Sequence, residues 1–171
     1  DLPKLLSSMS MGTKRIRKIV LSLRNFSRLD ESEIKTVDIH EGIDSTLVIL
    51  NHRLKTDNSA QPIEVIKQYG ELPRIDCYPS QLNQVLMNIL SNAIDALVDH
   101  PAPCITITTE AQGDLANIRI DDNGTGIPKK IQSQILNPFF TTKAVGKGTG
   151  MGMSISYQII KKRGVCNMEP Y

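Results

Sequence analysis

Gly146-Lys147-Gly148-Thr149-Gly150-Met151-Gly152-Met153 places a glycine at every second position. Glycine inside a strand or helix costs roughly 0.5–1 kcal/mol relative to alanine, so a packed core has no use for four alternating ones. The run suits backbone that swings and then approaches a ligand closely, with N–H groups turned inward. Apolar spacing predicts a helix over 151–163 opening directly from it. Glycine-rich backbone feeding a helix N-terminus is a phosphate-binding arrangement. A flexible linker is the plain alternative, but linkers seldom run without a break into an apolar helix.

Upstream of the glycines, Asn137-Pro138-Phe139-Phe140-Thr141-Thr142-Lys143 sets two aromatics and a cation at the front of the run. In a chain with 4% aromatic residues, a Phe pair bordering a glycine loop reads as an anchor for a lid; core packing is the other reading. Before it, a short helix is expected over 129–136, with Pro128 at its first turn. Two strands, 104–110 and 115–121, flank the hairpin signal Gln112-Gly113-Asp114. The second strand runs into Asp121-Asp122-Asn123-Gly124-Thr125-Gly126-Ile127-Pro128. A carboxylate at a strand end, followed by spaced glycines, can accept a hydrogen bond in a half-buried pocket while backbone passes close beside it.

The preceding helix, expected over 79–98, has two distinct faces. Leu82, Val85, Leu86, Ile89, Leu90, Ala93, Ile94 and Leu97 form a broad apolar face. At 100° per residue, Gln81, Gln84, Asn88, Asn92, Asp95 and Asp99 fall in a stripe about 80° wide on the other side. Asparagine is a poor helix former, so two of them one turn apart are costly on a free surface. Their amide oxygens suit a ligand or a hard cation such as Mg²⁺; ordinary polar surface is the alternative. Earlier still, short strands are expected over 37–39, 63–69 and 74–78, and a helix over 41–54.

Composition bounds the rest. With 171 residues, 40% of them hydrophobic, the chain can bury one core plus an appendage. A net charge of +2 gives no general affinity for polyanions. Cys77, Cys104 and Cys166 are odd in number and far apart, which suggests neither a disulfide framework nor a zinc site and fits a reducing compartment. No apolar run reaches the ~18–20 residues of a membrane span, and no signal-peptide pattern is seen. Residues 1–29 read as one amphipathic helix with six basic and no acidic side chains between Lys14 and Arg28. That face is read as solvated; without interleaved aromatics or a second basic element, no nucleic-acid partner is expected. A lone amphipathic helix must cover its apolar stripe with another helix or a second copy of itself. Because the pattern is already helical at Asp1, the chain is expected to be a piece of something longer.

Taken in order, four of these motifs resemble those of one family. Asn88-x-x-x-Asn92 resembles an N box, Asp122-x-Gly124-x-Gly126 a G1 box, Phe139-Phe140 an F box and the glycine run a G2 box. Their order and spacing are similar to the catalytic, ATP-binding domain of bacterial sensor histidine kinases. The wider group (GHKL, or HATPase) also holds DNA gyrase and heat-shock chaperones. The resemblance spans roughly 35–163. It implies an α+β fold, a two-layer sandwich of helices on a mixed, mainly antiparallel sheet (the Bergerat ATP-binding fold), preceded by a long N-terminal helix. The implied organisation is 1–29 as the second helix of the dimerisation and phosphotransfer hairpin, 30–36 as a linker and 37–171 as the catalytic domain. That domain is expected to lack its last strands.

The resemblance also implies roles. Asp122 would accept the adenine amine, Asn92 would ligate Mg²⁺, and Asn88 would help position the metal or its water as the catalytic residue. Further ATP contacts would come from Asp95, Gly124, Gly126, Ile127, Phe140, Thr141, Thr142, Lys143, Lys147, Gly148, Thr149, Gly150, Met151 and Gly152. The cofactors implied are ATP and Mg²⁺. The implied partners are a second copy through the N-terminal helix, a histidine-bearing helix and a response regulator. The site would be cytoplasmic, in a parent that could be anchored in the inner membrane. Chaperone and topoisomerase relatives carry a glutamate at the position of Asn88, and asparagine is a poor general base, so phosphoryl transfer to histidine is favoured over hydrolysis. None of His40, His52 and His100 sits in an acceptor motif, so the acceptor is expected on another segment, and the chain is not expected to autophosphorylate alone. A nucleotide-binding regulatory module, or a dimerisation fragment without kinase activity, is the alternative.

Overall fold

A computed structural model describes residues 33–56, 61–143 and 150–162. The helix expected over 1–29, the residues Gly146, Lys147, Gly148 and Thr149, Cys166 and the tail expected to lack strands all lie outside the described residues.

Strand β1 (Lys35–Val37) comes first, followed by helix α1 (Ile39–Ile49). The strand starts inside the stretch read as linker, and the helix takes up Ile39. The reason is Asp38, whose carboxylate accepts from the His40 N–H at 2.8 Å and caps the helix there. The helix expected over 41–54 is two pieces, α1 and α2 (Asn51–Thr56), interrupted only at Leu50. The Leu54 N–H still bonds the Leu50 carbonyl at 3.0 Å, so one apolar face continues through Ile43, Leu47, Leu50 and Leu54, all buried.

Next come β2 (Glu64–Tyr69), β3 (Ile75–Cys77) and the long helix α3 (Pro79–Ala96). Pro79 sits at the first helical position, where its missing N–H costs nothing. The helix stops short of the expected 98; Asp99 then takes a left-handed backbone, φ 63°. Leu86, Leu90, Ala93, Ile94 and Leu97 enter the core as their spacing predicts. Leu82 and Ile89 are only half-buried, while Ser80 and Asn83 are buried, Asn83 lying against Gly42 of α1.

Strands β4 (Cys104–Gln112) and β5 (Leu115–Asp122) form the expected hairpin, with Gly113 at φ 60° in its two-residue loop. The larger sheet has the order β2-β4-β5, with β2 parallel and β5 antiparallel to β4; β1 and β3 pair antiparallel in a second, two-stranded sheet. Ile105 and Ile107 are fully buried on the helix-facing side of β4. On the other side, Gln68, Thr106, Thr108, Glu110, Asn117, Arg119 and Asp121 line a shallow polar depression of about 420 Å³. Helix α4 covers only Lys129–Gln132, half the expected length, and α5 (Gly152–Lys162) closes the described chain. Helix α3 packs against α1, α5 and β5, and so stands at the centre of the helical layer.

Candidate nucleotide site

Three pieces of the chain converge on α3. At its C-terminal end lies Gly124: a Cβ there would fall 2.7 Å from the carbonyl oxygen of Ala96 and 2.8 Å from Asp122 Oδ1. Only glycine lets the end of β5 pass so close to the last turn of α3. The Asp122 carboxylate accepts from the Gly124 N–H at 3.0 Å. Contrary to the half-buried pocket expected, Asp122 is exposed, because it is the last residue of β5 and the chain turns away after it. Asn123 holds that turn, accepting from the Cys104 N–H and donating to the Ala102 carbonyl, each at 2.8 Å. Gly126 has φ 68° with open space around it, and Ile127 is exposed.

Midway along α3, Asn88 meets the start of α5. Its amide nitrogen donates to the Gly152 carbonyl at 3.0 Å and to Ser156 Oγ at 3.2 Å, and a Cβ on Gly152 would touch the Asn88 side chain at 3.4 Å. The fully buried Ser156 hydroxyl donates to the same carbonyl, and the Ser154 hydroxyl to the Met151 carbonyl, each at 2.9 Å. Gly150, at φ 64°, lies against the backbone of Phe139, where a Cβ would fall 2.5 Å from the Phe139 carbonyl carbon. The end of the glycine run is thus seated on the F-box segment. The two phenylalanines part company there: Phe140 is half-buried, while Phe139, itself at φ 66°, is 74% exposed. Thr141 and Thr142 are exposed.

One turn beyond Asn88, Asn92 and Asp95 share a cation. The Lys143 ammonium donates to Asn92 Oδ1 at 3.0 Å and pairs with Asp95 Oδ2, and the second oxygen of Asp95 is held by the guanidinium of Arg53. These three charged side chains are each about one-third exposed. Arg53 belongs to α2 and was missed by the sequence reading, because a lone arginine in a short helix carries no spacing signal. An amide oxygen and a carboxylate thus hold one positive charge between them. Among the described residues, no group of three or more His, Cys, Asp or Glu could hold a metal unaided.

The model of the histidine kinase-, DNA gyrase B- and HSP90-like ATPase family matches residues 77–169, more than half of the chain. This chain belongs to that ATPase family. Among curated relatives, the signal transduction histidine-protein kinase AtoS of Escherichia coli is 36% identical over 147 residues, covering 85% of this chain and 23% of AtoS. The chain spans 18–32% of the length of the first curated relatives it matches. Among solved structures, the catalytic domain of the histidine kinase ThkA is 28% identical with a TM-score of 0.66, covering 76% of this chain and 81% of that one. ThkA in complex with the response regulator protein TrrA shares the fold, with a TM-score of 0.62 at 23% identity, over 99% of this chain and 48% of that one. Within the ATPase family, then, the chain is similar to the ATP-binding part of sensor histidine kinases, and its α+β architecture is that of their catalytic domains.

Proposed function

We propose that the chain binds Mg-ATP along α3, between the end of β5 and the start of α5, and directs the γ-phosphate to a histidine on another segment. The observation that carries this reading is the convergence on α3. Gly124 packs on its last turn, Gly152 on Asn88, and Lys143 on Asn92 and Asp95. Asp122 would take the adenine amine and its neighbouring glycines would admit the ring. Backbone N–H groups from Gly150 to Gly152, at the α5 N-terminus, would face the phosphates. Asn92 would hold Mg²⁺, with Asn88 positioning it. The metal, when bound, neutralises phosphate charge as the transfer proceeds. In the transfer, an imidazole nitrogen attacks the γ-phosphorus, the bond to the β–γ bridging oxygen breaks, ADP leaves, and the ring releases its other N–H proton.

Partners follow from the same reading: a histidine-bearing helix, a second copy joined through residues 1–29, and a response regulator. ThkA, whose catalytic domain is similar to this chain, has been captured with such a regulator. The same kinase reading puts the site in the cytoplasm; among the described residues no helix is long and apolar enough to cross a membrane. The test mixes the chain with a separately made histidine-bearing helical hairpin and γ-labelled ATP. Acid-labile label on the hairpin's histidine is expected. ATP binding without any transfer would favour the regulatory-module reading instead.

A further inference from the structure

Asn92 Oδ1, the atom assigned above to the metal, is bonded at 3.0 Å by the Lys143 ammonium. A magnesium ion on the same oxygen would lie about 2.1 Å from it, and so at most about 5 Å from that ammonium. One amide oxygen cannot serve both cheaply, since two positive centres at that distance repel strongly where water is partly excluded. We propose that Lys143 is an internal competitor for the cation position, seated by Asp95, and that it must leave Asn92 for the metal to load. Arg53 is the positioning residue of the arrangement. From α2 it fixes one carboxylate oxygen of Asp95, so that the other points to Lys143. The four groups come from three separate parts of the chain, which makes the pairing a built feature rather than a local helix contact. This inference rests on the Mg-ATP reading and deepens it: Lys143, expected from the sequence as an ATP contact, also sets how much magnesium the site needs.

The experiment titrates Mg²⁺ into the full chain at fixed non-hydrolysable ATP analogue and reads the midpoint of binding, for the parent and for Lys143→Met. The midpoint is expected to fall about threefold to tenfold in the variant, the span of a part-buried ion pair. A parallel measurement labels amines with an acylating reagent and follows Lys143 by mass spectrometry. Labelling should rise when Mg²⁺ and analogue are both present, because the ammonium has left its carboxylate. An unchanged or raised midpoint in Lys143→Met, or protection of Lys143 on loading, would overturn the inference while leaving ATP binding intact. Absence of analogue binding by the folded parent at saturating Mg²⁺ would instead defeat the Mg-ATP reading, and this inference with it.

Discussion

The phenol of Tyr69 donates to Asp44 Oδ1 at 2.9 Å, beside the Lys67 ammonium on the same oxygen, while the His40 ring stacks on Tyr69 at 4.3 Å. His40 Nε2 in turn meets Thr109 Oγ1 at 2.8 Å, joining the start of α1 to the sheet. Burial, and then the hydrogen bond and charge of Asp44, push the Tyr69 phenol above its ordinary range. Only the neutral phenol can donate. Above pH about 10 the unfolded chain ionises this group while the folded chain keeps its proton, so the bond's contribution is full below pH 10 and lost as pH climbs through the folded pKa. Tyr69→Phe should therefore cost about 0.5–1 kcal/mol in urea unfolding at pH 8, the low end for a bond this exposed. The difference should shrink above pH 10; a constant gap up to pH 11 would contradict this. Single residues of this kind were poorly legible in the sequence. Asp44 and Tyr69 stand 25 positions apart and Arg53 and Asp95 stand 42 apart, and no local pattern announces a pairing across that span. Asn88 and Asn92 were legible because an asparagine pair inside a helix goes against propensity and so asks for a reason.

Elements were easier to read wherever one face is buried. The apolar step of α3 gives its core face directly, because burial of each large side chain is worth roughly 1.5–3 kcal/mol and selects the helical period. The break at Leu50 and the short α4 have no counterpart in the apolar periodicity, and the early end of α3 coincides with the approach of Gly124. At this level Asn88 acts as a clip: its amide nitrogen ties α3 to the start of α5. Asn88→Ala should cost about 1–2 kcal/mol in thermal or urea unfolding. It should also speed hydrogen exchange of the α5 amides more than those of α1. Equal exchange in both helices would mean that apolar packing alone seats α5.

Across the described residues, a mixed sheet is covered on one side by helices centred on α3, leaving a polar outer face. Among the described residues, Asn88, Asn92, Gly124 and Gly152 lie on or against one helix of that layer, which is why short boxes carried so much information about architecture. In chain order, β5 reaches α3 at Gly124 and α5 reaches it at Gly152, and side chains elsewhere only need to fill the core. The nucleotide site proposed along α3 has Asp122 at its adenine end. Calorimetric titration of a non-hydrolysable ATP analogue, with and without Mg²⁺, into the parent chain and Asp122→Ala tests it most directly. Mg²⁺-dependent binding by the parent, weakened by at least about tenfold in the variant, is expected from the loss of one charge-assisted hydrogen bond. Equal binding by the two folded proteins, or none by either, would contradict it.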